Sequence, residues 1–167
     1  LDRPLVILFV GLRTSDEPHP FDDPRLKAKD NLIFRHFEEF IPDSELKSFF
    51  AAADGVWAFY RAFIGASGVL LQAIAYGRLP ICSDTGEIGD LCRQHSIGLV
   101  GPVDDLDGLH DVFARFLTMP ADTQHALEAR LLDVANVLAW PNITRQILDI
   151  ALPAANGRCT PSGDPED

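Results

Sequence analysis

Gly65-Ala-Ser-Gly-Val-Leu-Leu-Gln-Ala-Ile-Ala-Tyr-Gly77, followed by Leu79-Pro-Ile-Cys-Ser-Asp84, reads as a turn, a helix, a stop and a strand. Small residues at 65–68 form the turn, and an apolar helix of about ten residues follows from Ser67 to Tyr76. Gly77 supplies the left-handed residue that ends it. The run 79–83 is too short for a helix and apolar throughout, as in a strand covered on both faces. A helix that opens on such a turn leaves its first backbone N–H groups without partners. Those donors suit an anion, most often a phosphate. The same pattern serves equally as a Ser N-cap on a core helix.

Working outward, Leu5-Val-Ile-Leu-Phe-Val10 is an apolar, β-branched run stopping at Gly11, and predicts a strand buried on both faces. Residues 14–30 hold three prolines and many charges, and predict a loop with one helical turn. Asn31–Phe34 reads as a second strand. Asp43 reads as the cap of a helix carrying Leu46, Phe49, Phe50 and Ala53, which ends at Asp54-Gly55. Strands follow at 55–60, 79–83 and 97–100, with a short helix at 87–94 between the last two. Apolar stripes at 106–117 and 127–138 predict two more helices. Trp140-Pro141 marks the approach to a last helix over 143–152. Strands alternating with helices imply a parallel α/β sheet with right-handed crossovers. Ligands of such folds bind beyond the carboxyl ends of the strands. Three segments fall there: 11–14, 60–68 and 84–89.

Composition narrows the field. The chain has 167 residues, a natural length for one domain with its own core. The expected boundaries are 1–153 for the domain and 154–167 for a disordered Pro/Gly/Asp-rich tail. A net charge of −11 argues against a phosphate-tracking nucleic-acid binder, so no nucleic-acid partner is expected. The three cysteines, Cys82, Cys92 and Cys159, form no CxxC pair and suit a reducing, cytoplasmic compartment. No apolar run has membrane-spanning length. The five histidines show no metal-ligand spacing, and no metal site or cofactor is expected. Asp22-Asp23 and Asp104-Asp105 are adjacent acids that suit helix dipoles and solvation better than paired acid–base work. No nucleophile–histidine–acid arrangement stands out, and the catalytic residues stay unassigned.

Several segments, in order, resemble the C-terminal donor-binding domain of the GT-B glycosyltransferases, the retaining "glycosyl transferases group 1" family. They are Phe40-Ile-Pro-Asp-Ser-Glu-Leu46, Phe50-Ala-Ala-Ala-Asp54-Gly-Val56, Tyr60 to Gly77, and Leu79 to Ile88. Ile97-Gly-Leu-Val-Gly-Pro-Val-Asp104 and Ala139-Trp-Pro-Asn-Ile143 complete the series. The resemblance covers roughly residues 5–152. Ala66-Ser-Gly68 looks like the branch of the family with a Ser-Gly turn. Two departures stand out. Most members carry two glutamates eight positions apart, where this chain has Ile64 and Gln72. The domain also normally opens with a further strand and helix bearing an Arg and a Lys for the diphosphate, whereas Leu5–Gly11 looks like its second strand. The resemblance therefore implies an N-terminally truncated C-terminal half, with an acceptor-binding N-terminal domain preceding Leu1 in the intact protein.

What the resemblance implies for function is transfer of a sugar from a nucleotide-diphospho-sugar to an acceptor bound by that N-terminal domain. The protein would be cytoplasmic, or peripheral at a membrane through the missing part. In this reading the N–H groups of Ser67, Gly68 and Val69 hold the diphosphate, and the Ser67 hydroxyl adds a bond. Gln72, one helical turn on, reaches the ribose. Arg61 contacts phosphate or sugar, Tyr60 lines the sugar pocket, and Thr85 and Gly86 approach the sugar. Each has a plainer alternative: surface Arg, packed Tyr, exposed Gln, and a turn that needs glycine. The alternative for the whole chain is a non-catalytic binding or interaction module on the same fold. A nucleotide-sugar epimerase is a third reading, weakened by the lack of a Ser-Gly-Gly turn with nearby acids.

Overall fold

The computed structural model describes residues 4–12 and 22–152. The expected tail at 154–167 and the 14–21 part of the expected loop lie outside the described residues. The architecture is α/β with parallel strands throughout, as expected, and the chain divides into two units at Asp54/Gly55.

In the first unit, β1 (Leu5–Val10) pairs in parallel with β2 (Leu32–Phe37) from Leu5↔Leu32 to Val10↔Phe37. α1 (Pro24–Lys27) and α2 (Asp43–Ala52) complete it. Three expectations are corrected here. β1 is not buried on both faces: Val6 and Val10, which share a face, are 51% and 37% exposed. Its strand character comes from β-branched residues and pairing rather than from double burial. β2 runs three residues past Phe34, because main-chain pairing continues; Arg35 is exposed, the His36 ring stacks on Phe9 and the Phe37 ring packs edge-on to Phe49. Finally, Asp43 is the first helical residue of α2. Pro42 holds the cap position with extended backbone and no side-chain cap bond. Asp43 and Glu45 then act on the helix dipole from within the first turn.

α1 is the helical turn expected in the Pro-rich loop. Its N-cap Asp23 pairs with the Arg25 guanidinium and accepts the Arg25 N–H at 2.8 Å. These two bonds hold the Asp23 carboxyl at about 2. A folded value below the unfolded one means the contribution is complete above pH 3.8 and fades as the pH falls through about 2. NMR titration should place the Asp23 midpoint near 2, and Arg25→Gln should return it toward 3.8; an unmoved midpoint would refute the pairing.

In the second unit, β3 (Gly55–Ala58), β4 (Leu79–Ser83) and β5 (Leu99–Gly101) form a three-stranded parallel sheet in the order β3-β4-β5. The strands are linked by α3 (Gly68–Ala75) and α4 (Gly86–His95). α5 (Leu106–Leu117), α6 (Ala121–Leu138) and α7 (Trp140–Ala151) follow. β3 stops two residues and β5 starts two residues inside the expected spans. The last helix starts at Trp140 rather than Ile143, with Pro141 in its first turn, where a missing N–H costs nothing.

β4 is the buried centre, and its alternation builds two cores. Cys82 faces a cluster with Leu70 and Ile74 of α3, Ile88 and Cys92 of α4, and Leu131 and Val134 of α6. Leu79 and Ile81 face the other way, with Leu99 and Val112, under Phe113 and Phe116. Helices on both faces of β4 fix α3 and α4 at the carboxyl ends of β3 and β4. α7 contributes no buried residue, and Trp140, Ile147, Leu148 and Ile150 are exposed along it. No helix of the described residues is long and apolar enough to cross a membrane.

Candidate functional site

Two loops leave the carboxyl ends of neighbouring strands in the second unit: 59–67 after β3 and 84–85 after β4. Glycine lets them touch. Gly86 adopts φ +61°, and a Cβ there would come within 2.9 Å of the Phe63 carbonyl oxygen and 3.0 Å of that of Ile64. The Glu87 N–H donates to the Ile64 carbonyl at 3.2 Å. The second loop is anchored in turn. The Asp84 N–H donates to the Gly101 carbonyl at 2.9 Å, and the Arg93 guanidinium donates to the Asp84 carbonyl at 2.9 Å. Ala62 lies in the left-handed region at φ +53°. That conformation costs a non-glycine residue roughly 1–2 kcal/mol and is held here by the loop around it.

Ser67 is the pivot of the first loop. It has extended backbone, caps α3 and is only 4% exposed. Its Oγ accepts the Leu70 N–H at 3.2 Å and lies 3.3 Å from Tyr60 Oη. The hydroxyl is thus engaged inside the protein, and the plain cap role describes it. The cap leaves two donors over. Among the described residues, no acceptor takes the N–H of Gly68 or of Val69. Both residues are exposed, and nothing lies within 4 Å of where a Gly68 Cβ would stand. α3 also has no acidic residue in its first turn, whereas α4 has Glu87. α3 thus offers no carboxylate of its own to the two free donors.

The other expected residues sort as follows. Tyr60 is half-buried, packs on the core and meets the Phe63 ring at 5.2 Å. Gln72 is half-buried, one turn along α3 from Gly68. Arg61 is exposed and makes no ion pair among the described residues. Thr85 sits at the cap position of α4 without a side-chain cap bond, and Gly86 is the close-approach glycine described above. Ile64 is 81% exposed. The structure brings together Tyr60 with Ser67, and the 63–64 backbone with Gly86. Among the described residues, Arg61 joins no hydrogen-bond or ion-pair network.

Beside Ser67 runs an open groove of about 310 Å³. Ala66, Ser67 and Leu70 form one wall; Glu87, Asp90, Leu91 and Gln94 of α4 form the other. Of the residues singled out from sequence, only Ser67 lines it. Glu87, Asp90 and Gln94 were missed, although their spacing of three and four places them on one helical face. Besides the Ser67 hydroxyl, the groove's polar side chains are two carboxylates and an amide, which do not suit an anion. No three His, Cys, Asp or Glu side chains among the described residues converge as metal ligands.

No protein-family model matches the sequence, and no curated protein sequence matches it. Solved structures do. WaaG, a glycosyltransferase involved in lipopolysaccharide biosynthesis, superposes with a TM-score of 0.59 over 88% of this chain at 20% identity. The catalytic domain of starch synthase IV from Arabidopsis thaliana, bound to ADP and acarbose, does so with a TM-score of 0.54 over 79% of this chain at 16% identity. This chain spans 37% and 28% of theirs. The likeness is one of fold: parallel strands flanked by helices, matching about a third of each of those chains.

Proposed function

We propose that this chain is the donor-binding domain of a glycosyltransferase, and that the α3 N-terminus holds the diphosphate of a nucleotide-diphospho-sugar. One observation carries the reading: among the described residues no acceptor takes the exposed N–H groups of Gly68 and Val69, at the N-terminus of a helix beyond the carboxyl end of a parallel strand. Donors so placed favour charge that develops on a leaving diphosphate without having to reorganise first. In this reading Gln72 serves a ribose hydroxyl and Arg61 the phosphates or the sugar. The sugar passes to an acceptor bound by a further domain, as the family resemblance implies.

The test turns on Gly68. Proline suits the first helical position, and Ser67, at φ −92° and ψ 121°, already has the extended backbone that a following proline demands. Gly68→Pro therefore deletes one donor and keeps the helix. Gly68→Ala keeps the donor and fills open space. Calorimetric titration with UDP, GDP and ADP should show saturable binding of one nucleotide. Gly68→Ala should retain it, and Gly68→Pro should weaken it about tenfold, the scale of one hydrogen bond to a charged group. Equal affinity of the two variants would sink the phosphate assignment.

A second reading, a non-catalytic module on the same fold, has its own observation. Exposed Ile64 and the uncharged Gln72 stand where the family resemblance places two glutamates. Absence of nucleotide binding by the folded wild-type chain favours that reading.

A further inference from the structure

Cys82 on β4 and Cys92 on α4 lie ten positions apart in sequence, and their sulfurs are 3.6 Å apart in the core. Both are free thiols, 0% and 1% exposed. They share one hydrogen bond, and Leu70, Ile74 and Ile88 belong to the same core cluster. A disulfide needs sulfurs about 2.0 Å apart, so an approach of about 1.5 Å joins them. One partner sits on the buried central strand of its sheet; the other sits on a surface helix whose outer residues Asp90, Arg93 and Gln94 are exposed.

We propose that Cys82 and Cys92 are an oxidation site, closed by hydrogen peroxide into a reversible disulfide that fastens α4 to β4. Peroxide is small enough to enter when α4 opens locally. The Cys82 thiol is pushed up by the bond to Cys92 and by burial, while that same bond, and then the Arg93 charge, hold Cys92 lower. The reaction therefore starts at Cys92. Its thiolate attacks one peroxide oxygen, the O–O bond breaks, and water leaves after protonation, which makes a sulfenic acid. The Cys82 sulfur then attacks the Cys92 sulfur. The S–O bond breaks, the Cys82 proton departs with hydroxide as a second water, and two thiols have lost two electrons to one peroxide. The product ties down the helix that begins at the Gly86 turn and bonds the 63–64 loop through Glu87.

The experiment uses the full chain with Cys159→Ser, so that only the pair can react. After a peroxide pulse on the folded protein, free thiols are alkylated in denaturant and the chain is digested with trypsin. Residues 79–93 come off as one peptide holding both cysteines. The expected product is that peptide, unalkylated and two hydrogens lighter, restored by dithiothreitol. Amide exchange over Gly86–His95 should slow at least fivefold in the oxidised chain. Adding Cys82→Ser should stop the reaction at a Cys92 sulfenic acid trapped by dimedone. Recovery of both cysteines alkylated, after exposure long enough for the α4 amides to exchange, would overturn the proposal, as would Cys92 oxidised with no link to Cys82.

Discussion

Gly89→Ala destabilises the protein by about 3 kcal/mol, against the ordinary gain of about 1 kcal/mol for replacing a helical glycine by alanine. A Cβ at Gly89 stands 2.4 Å from both the carbonyl carbon and oxygen of Asp84. Those are backbone atoms. The Asp84 N–H is bonded to Gly101 and its carbonyl to Arg93, so the turn cannot yield cheaply. The helix must therefore lift from the end of β4. Urea unfolding followed by circular dichroism reads the loss as a lower midpoint at unchanged slope. Gly68→Ala is the matched control, because its Cβ meets nothing. A Gly89→Ala midpoint equal to or above the wild-type one would show that α4 is not seated against Asp84.

Leu131→Ala costs a comparable amount, about 2–5 kcal/mol. Leu131 is completely buried where α6 meets the cluster of Leu70, Ile74, Cys82 and Ile88. Truncation leaves a hole between helices that are held by a central strand and cannot collapse to fill it. Leu132, one residue on, is 48% exposed, and Leu132→Ala should cost less than half as much. Because Leu131 and Leu70 share a cluster, the damage reaches α3, and exchange of the α3 amides should quicken along with the fall in stability. Equal losses for the two leucines would mean that α6 faces the core differently.

Much of this was legible in the chain. Residues 65–84 have the organisation read from their sequence, because helix cap, apolar run and glycine stop are local signals that agree with one another. Signals that pattern cannot carry were misread. The outer half of β2 holds exposed Arg35 and His36, and it is pairing to β1, with His36 stacked on Phe9, that makes it a strand. Pro42 took the position that capping preference gives to Asp43. At the site, the Ser67 cap was readable. The contact of Gly86 with the Phe63 and Ile64 carbonyls was not, since it joins two loops separated by a whole helix and strand. The groove went unseen for a similar reason: nothing in the chain says that Glu87, Asp90 and Gln94 stand across from the start of α3.

The second unit's strands stand in the sheet in the order in which they occur in the chain. This bears on how it assembles. Each pairing closes only the single crossover between two consecutive strands, so no contact in the sheet must wait for a distant segment to return. Low sequence separation between partners shortens the search. The span through α4 is the shorter of the two, and loop closure favours it. Closing β4 onto β5 therefore costs slightly less chain entropy than closing β3 onto β4.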